Sequence, residues 1–138
     1  MRKIEHLGIA VADLKKSNEL FQRLLGKPPY KSEAVVTEGV ETSFFQVGDT
    51  KIELLQANTA DSPIAKFIER KSEGIHHIAF DVEDIYAEMS RLKAEGFEIL
   101  NEIPKKGADH KIVVFLHPRS TNGVLVELCQ ADPNPEKP

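Results

Sequence analysis

The chain has 138 residues, 41% of them hydrophobic and 29% charged, which is enough apolar side chain for a packed core and too much for disorder. Its formal charge of −4 leaves no electrostatic footprint for nucleic acid, and it contains no run of about 18 apolar residues that could span a membrane. A single cysteine, Cys129, excludes an internal disulfide, suits a reducing cytosol, and reads as a small apolar filler in a strand.

In chain order, Met1-Arg2-Lys3-Ile4-Glu5-His6 enters a strand pattern at once. That leaves no room for a signal peptide and sets the expectation of a cytoplasmic protein. His6-Leu7-Gly8-Ile9-Ala10-Val11 continues the strand, and Asp13 is placed to N-cap a helix that buries Leu14, Phe21, Leu24 and Leu25 and stops at Gly26. Strands follow around Thr42–Val47 and Lys51–Gln56, joined by a turn at Gly48-Asp49. Ser62 and Pro63 mark the N-cap and first position of a linker helix with Ile64, Phe67 and Ile68 on its apolar face, and Gly74 ends the linker. Its Lys66, Arg70 and Lys71 read as a solvated face. A strand through His77 leads to Asp84, the next N-cap, and to a helix burying Ile85, Met89 and Leu92 before Gly96. Lys105-Lys106-Gly107-Ala108-Asp109 and His110 read as a mobile polar loop, and His117 before Pro118 as a turn residue. The last strands lie around Lys111–His117 and Val124–Gln130, with Asn122-Gly123 between them, and Asp132 to Pro138 reads as a frayed tail.

The two halves repeat. His6-Leu7-Gly8-Ile9-Ala10-Val11 parallels His77-Ile78-Ala79-Phe80-Asp81-Val82, and each histidine is followed seven residues later by an aspartate. Lys51-Ile52-Glu53-Leu54-Leu55-Gln56 parallels Leu125-Val126-Glu127-Leu128-Cys129-Gln130, and histidine and glutamate stand 47 residues apart in one half and 50 in the other. Landmarks in the same order at nearly the same spacing indicate a duplicated unit. Each half reads β-α-β-β-β. The expected class is therefore α+β: two tandem βαβββ modules, about 3–58 and 74–131, joined by a helix at about 62–72. Together they would form one domain whose curved mixed sheet surrounds a metal.

Strand side chains alternate between faces. Gly8 and Ala10 share the face of His6, and Ala79 shares that of His77, so each histidine has small neighbours that leave volume beside it. Glu53 and Glu127 each stand between apolar residues of the opposite face. A carboxylate in such a strand is costly to bury alone. Two imidazoles and two carboxylates would satisfy one another around one divalent cation, so His6, Glu53, His77 and Glu127 are the expected ligands. The donor set suits cobalt, nickel, zinc, manganese or iron better than calcium. A register shift of one residue would substitute His76 for His77.

Paired modules with this ligand pattern resemble the vicinal oxygen chelate superfamily, which includes glyoxalase I, ring-cleaving dioxygenases and antibiotic-resistance proteins. Within it, the segments Ser62-Pro63-Ile64-Ala65-Lys66-Phe67, Gly74-Ile75-His76-His77-Ile78-Ala79 and Phe115-Leu116-His117-Pro118 resemble the methylmalonyl-CoA epimerase family, over about residues 4 to 130. The resemblance implies a cytoplasmic, homodimeric isomerase of propionate metabolism with cobalt as the favoured ion and methylmalonyl-CoA as substrate. A metal-stabilised enolate would form at C2, with one carboxylate on each side acting as base and acid in turn. Some family members take a base from the strand before the one bearing Glu53. Here alignment puts Thr42 at that position, and Glu41 is one residue away, facing the wrong side unless the strand bulges. Glu53 and Glu127 are therefore the expected bases, with Glu41 next in line. The alternatives are a glyoxalase I-like lactoylglutathione lyase and a metal-free module that binds a small molecule.

Overall fold

A computed structural model describes residues 1–136; Lys137 and Pro138, the end of the expected tail, lie outside the described residues. The chain forms two compact units: His6–His76, and Met1–Glu5 together with the chain from His77 onward. Both carry a β-α-β-β-β module. No helix among the described residues is long and apolar enough to cross a membrane.

In the unit His6–His76 the strands are β1 (Lys3–Ala10, from His6 onward), β2 (Lys31–Val35), β3 (Val40–Val47) and β4 (Thr50–Ala57), with helix α1 (Leu14–Leu25) between β1 and β2. They lie in the order β2-β3-β4-β1: β1 is parallel to β4, and β3 is antiparallel to both of its neighbours. Asp13 caps α1 by accepting from the Lys16 amide, and Gly26, at φ 79°, ends it in the left-handed conformation that glycine adopts without a Cβ clash. Val11, Leu14, Phe45 and Leu54 form the core beneath α1, with Phe21 and Leu25 packed against it. Leu24 is instead 70% exposed, contrary to expectation. At 3.6 residues per turn it stands about 80° around the helix from Leu14, off the stripe that Leu14, Phe21 and Leu25 make.

The opposite face of this sheet has its own cover. Helix α2 (Pro63–Lys71) lays Ile64, Phe67 and Ile68 against Ala10, Val40 and Leu55. Ser62 Oγ accepts from the Ile64 and Ala65 amides, and the backbone of Ser72, at φ 67°, stops the helix before Gly74 is reached.

The second unit holds β5 (Gly74–Asp81, from His77 onward), α3 (Ile85–Ala94), β6 (Lys105–Lys106), β7 (Lys111–Leu116) and β8 (Val126–Ala131), in the strand order β5-β8-β7-β6. Asp84 caps α3 through the Ala87 amide, and Ile85, Met89 and Leu92 are buried against Val82, Val114, Leu116 and Leu128 as their spacing predicts. Each such side chain contributes roughly 1.5–3 kcal/mol by leaving water.

Two expectations change here. Lys105–Asp109 is part of a hydrogen-bonded hairpin rather than a mobile loop: Lys105 and Lys106 pair with Val113 and Ile112, and Asp109 and His110 turn the chain at φ 58° and 56°. The start of the tail is held too. The Asp132 amide donates to the His110 carbonyl, and Lys106 Nζ binds both the Asp132 carboxylate and the Asn134 carbonyl.

Candidate functional site

The repeat continues into the tertiary contacts. The Leu14 amide, at the start of α1, donates to Gln56 Oε1 at 2.7 Å, and the Ile85 amide, at the start of α3, donates to Gln130 Oε1 at 2.8 Å. Val11 N–H to the Leu55 carbonyl matches Val82 N–H to the Cys129 carbonyl, both at 2.9 Å. Each glutamine stands three residues beyond its glutamate and so points to the helix side. It ties the strand bearing that glutamate to the helix that follows the histidine.

On the other face the registers line up as two matching rows. In the first unit Glu53 stands between Gly8 of β1 and Phe44 of β3; in the second, Glu127 stands between Ala79 of β5 and Phe115 of β7. Each carboxylate therefore has a small residue on one side and an aromatic residue on the other. His6 and His77 lie two residues before Gly8 and Ala79, on the same faces. His6 Nε2 is 3.3 Å from Glu53 Oε1, and His77 Nε2 is 3.7 Å from Glu127 Oε1. All four residues are buried, at 6%, 4%, 4% and 6% exposure in chain order.

Within each unit, then, an imidazole nitrogen and a carboxylate oxygen converge with little water around them. A buried pair of this kind fits a divalent cation, since both atoms are good donors to first-row ions and the ion's charge offsets the cost of burying the carboxylate. The neighbouring His76 has different surroundings: its ring packs edge-on against Phe67 of α2 at 5.0 Å.

Glu41 is not with Glu53. The β3–β4 register runs without a bulge from Val40 to Val47, pairing Glu41 with Gln56 and Thr42 with Leu55. Glu41 is exposed on the α1 side, and the fully buried Thr42 shares the face of Glu53. His117 accepts from the Arg119 amide through Nδ1 and caps the short helical turn Pro118–Ser120, as a turn residue should. His110 sits in the β6–β7 turn. On α2, Lys66, Arg70 and Lys71 are exposed, with Lys71 Nζ 6.0 Å from the centre of the Phe67 ring.

Cys129 has no access to solvent, and its thiol is pushed well above the ordinary range, first by burial and then by the charges of Glu127 and Glu5. Glu5 is the residue that sequence reasoning passed over. It is only 2% exposed, and its carboxylate lies within 4.8 Å of Cys129 Sγ, on the side of β8 that carries Glu127. Simple alternation from His6 assigns Glu5 to the other face. The available signal was its position, a carboxylate directly before the first histidine and after Ile4 in the first strand.

Residues 5–115 match the family described as the Glyoxalase/Bleomycin resistance protein/Dioxygenase superfamily, and the chain belongs to it. Its relatives narrow the class further. The chain is 43% identical over 127 residues to the mitochondrial methylmalonyl-CoA epimerase of Dictyostelium discoideum, spanning 91% of this chain and 76% of the relative. It is 42% identical over 130 residues to the ethylmalonyl-CoA/methylmalonyl-CoA epimerase of Cereibacter sphaeroides, spanning 93% and 97% of the two chains. Among solved structures, a methylmalonyl-CoA epimerase in complex with methylmalonyl-CoA and NH4+ superposes with a TM-score of 0.90 at 29% identity, covering 100% of this chain and 99% of that one.

Proposed function

We propose that this protein is an isomerase that interconverts the two configurations of methylmalonyl-CoA at C2. The observation that carries this reading is the repetition, in both units, of a buried imidazole–carboxylate pair beside a small residue and an aromatic residue. Relatives about 40% identical over nearly the whole chain single out the substrate.

In this reading His6, Glu53, His77 and Glu127 hold one divalent ion, and the repeat supports a shared site because each half supplies the same two donors. A bound ion would act as a Lewis acid toward the negative charge that develops on the thioester oxygen. The chain's own residues move the proton. One glutamate takes the C2 proton while the electron pair of the C–H bond passes toward the thioester oxygen. The other, protonated, returns a proton to the opposite side of C2, so that the two exchange protonation states in each turnover. The near-complete burial of both carboxylates limits the water that would otherwise screen the developing charge, while the carboxyl protons exchange with solvent between turnovers. The reading extends to a single-domain, cobalt-loaded, cytoplasmic homodimer working in propionate metabolism, which the family resemblance supports.

The test is incubation of the metal-loaded protein with methylmalonyl-CoA in deuterated water, beside a parallel incubation with methylglyoxal and glutathione. Deuterium at C2 with the thioester intact is the expected result. Formation of lactoylglutathione without C2 labelling would overturn it.

A further inference from the structure

We propose that the basic face of helix α2, formed by Lys66, Arg70 and Lys71, binds the phosphates of the substrate's nucleotide, an inference that deepens the acyl-CoA reading above and rests on it. The first reason is where α2 lies. Its apolar stripe covers Ala10, Val40 and Leu55. Leu55 stands two residues beyond Glu53 on β4, and Ala10 two beyond Gly8, the partner of Glu53 on β1. Val40 stands four residues before Phe44, the partner of Glu53 on β3. Alternation puts all three on the Glu53 face, with Leu55 about 7 Å along the strand from Glu53. Helix α2 therefore forms a raised edge to that face. Helix α1 packs on Phe45 and Leu54 instead, so its cations belong to the opposite side of the sheet.

The second reason is how the cations are arranged. At about 100° per residue, Lys66, Arg70, Phe67 and Lys71 follow one another around about 140° of the helix, and Glu69 falls outside that arc. Lys71 Nζ lies 6.0 Å from the centre of the partly buried Phe67 ring, which the His76 ring meets edge-on. Arg70 Nε donates to the Lys66 carbonyl at 3.4 Å, which engages one of the five N–H donors of the guanidinium. The nearby Asp61 carboxyl is held below its ordinary range first by a hydrogen bond from Thr59 and then by its own backbone, with the charge of Lys66 the smallest influence. Among the described residues, none of the three cations is in an ion pair.

The substrate has the charge to match. An acyl-CoA offers anionic oxygen from two sources, the acyl carboxylate beside the reacting carbon and the pyrophosphate and 3′-phosphate at the far end of the pantetheine arm. With the acyl group at Glu53, the arm leads the phosphates outward to the edge of that face, where α2 stands. The chain carries a formal charge of −4, so an anionic nucleotide needs a local concentration of positive charge to be drawn in. Arginine meets phosphate as a fork of donors and lysine as a point charge.

The experiment compares the wild type with the triple variant Lys66→Gln, Arg70→Gln, Lys71→Gln, in which glutamine keeps a helix propensity close to that of lysine and arginine. Metal content and thermal melting first confirm a folded, loaded protein. KM and kcat are then measured with methylmalonyl-CoA and with methylmalonyl-pantetheine, which lacks the nucleotide, and binding of adenosine 3′,5′-bisphosphate is measured by calorimetry. The triple variant is expected to raise KM about 10-fold or more for methylmalonyl-CoA alone and to lose the bisphosphate, on the scale of hydrogen bonds to charged groups. Arg70→Gln by itself should show the same selectivity at about 3-fold, and Arg70→Lys should restore most of it. An unchanged KM, an equal rise with both substrates, or bisphosphate bound as tightly by the triple variant as by the wild type would each overturn the assignment. The two readings fail separately. Bisphosphate binding that depends on α2, in a wild type that does not label C2, removes the epimerase reading and leaves the phosphate site standing. Normal C2 labelling with no dependence on the three cations removes the phosphate site alone.

Discussion

Two buried glutamates occupy equivalent places in the two units, and their chemistry separates from their structural role only by substitution. Glu53→Gln and Glu127→Gln keep the shape of the side chain and remove the base. With metal loading matched, each is expected to slow epimerisation by about 100-fold or more, the ordinary scale of a general acid–base group. Stereoisomer-resolved deuterium exchange at C2 is the measurement, and undiminished exchange from both configurations in either variant would move the proton transfers elsewhere. The histidines offer a sharper contrast. His77→Ala should lose stoichiometric metal on elemental analysis, whereas His76→Ala, whose ring packs on Phe67, should retain it. The reverse outcome would mean that the ligand comes from the neighbouring register position.

At the scale of elements, the helix starts organise the site. Gln56 and Gln130 each satisfy the first amide of a helix from the strand that carries a candidate ligand. Replacing either with leucine leaves that amide without its protein acceptor and should cost about 1–2 kcal/mol in urea unfolding. If both variants unfolded at the wild-type midpoint, the two contacts would be energetically idle. Gly39 presents a different constraint. It sits at φ 62°, and a Cβ there would stand 2.6 Å from Thr59 Oγ1 and 3.2 Å from Ser62 Cβ, close to the cap of α2. Gly39→Ala is therefore expected to lower stability by about 1–3 kcal/mol, from backbone strain and contact together. Wild-type stability in that variant would show that the loop yields without loss.

For the molecule as a whole, metal and pH are the external variables. An ion that binds the native state alone stabilises it by mass action, about 2.7 kcal/mol when free ion exceeds its Kd by about 100-fold. Thermal melting should thus rise with added cobalt in the wild type and stay flat in His77→Ala; a flat wild-type response would count against a native-state metal site. The C-terminal anchor should respond to acid. The Lys106 ammonium and the Asn134 amide hold the Asp132 carboxyl below its ordinary range. A depressed folded pKa means that the contact's contribution is complete above the unfolded carboxylate pKa and is lost as pH falls through the folded one. NMR order at residues 131–134 should accordingly be stable near neutrality and collapse at acid pH. Lys106→Met should loosen the segment near neutrality and flatten its response to acid.

The duplication was legible in the amino-acid order because covalent spacing encodes it directly: two histidines, two aspartate caps and two glutamates recur in step. Period-two alternation then placed Gly8, Ala79 and both glutamates correctly, since a strand leaves a side chain only two faces to choose between. Glu5, Leu24 and the held tail needed tertiary structure. The depth of Glu5 depends on the fold around its strand, and the exposure of Leu24 on which arc of α1 meets the sheet. Asp132–Asn134 is held by Lys106, more than twenty residues back in the chain, whereas Lys105–Asp109 is fixed by its hairpin partners Val113 and Ile112 close by. Local order decides which groups can face one another along an element. Only packing decides which of them lose their water and which distant charge stands beside them.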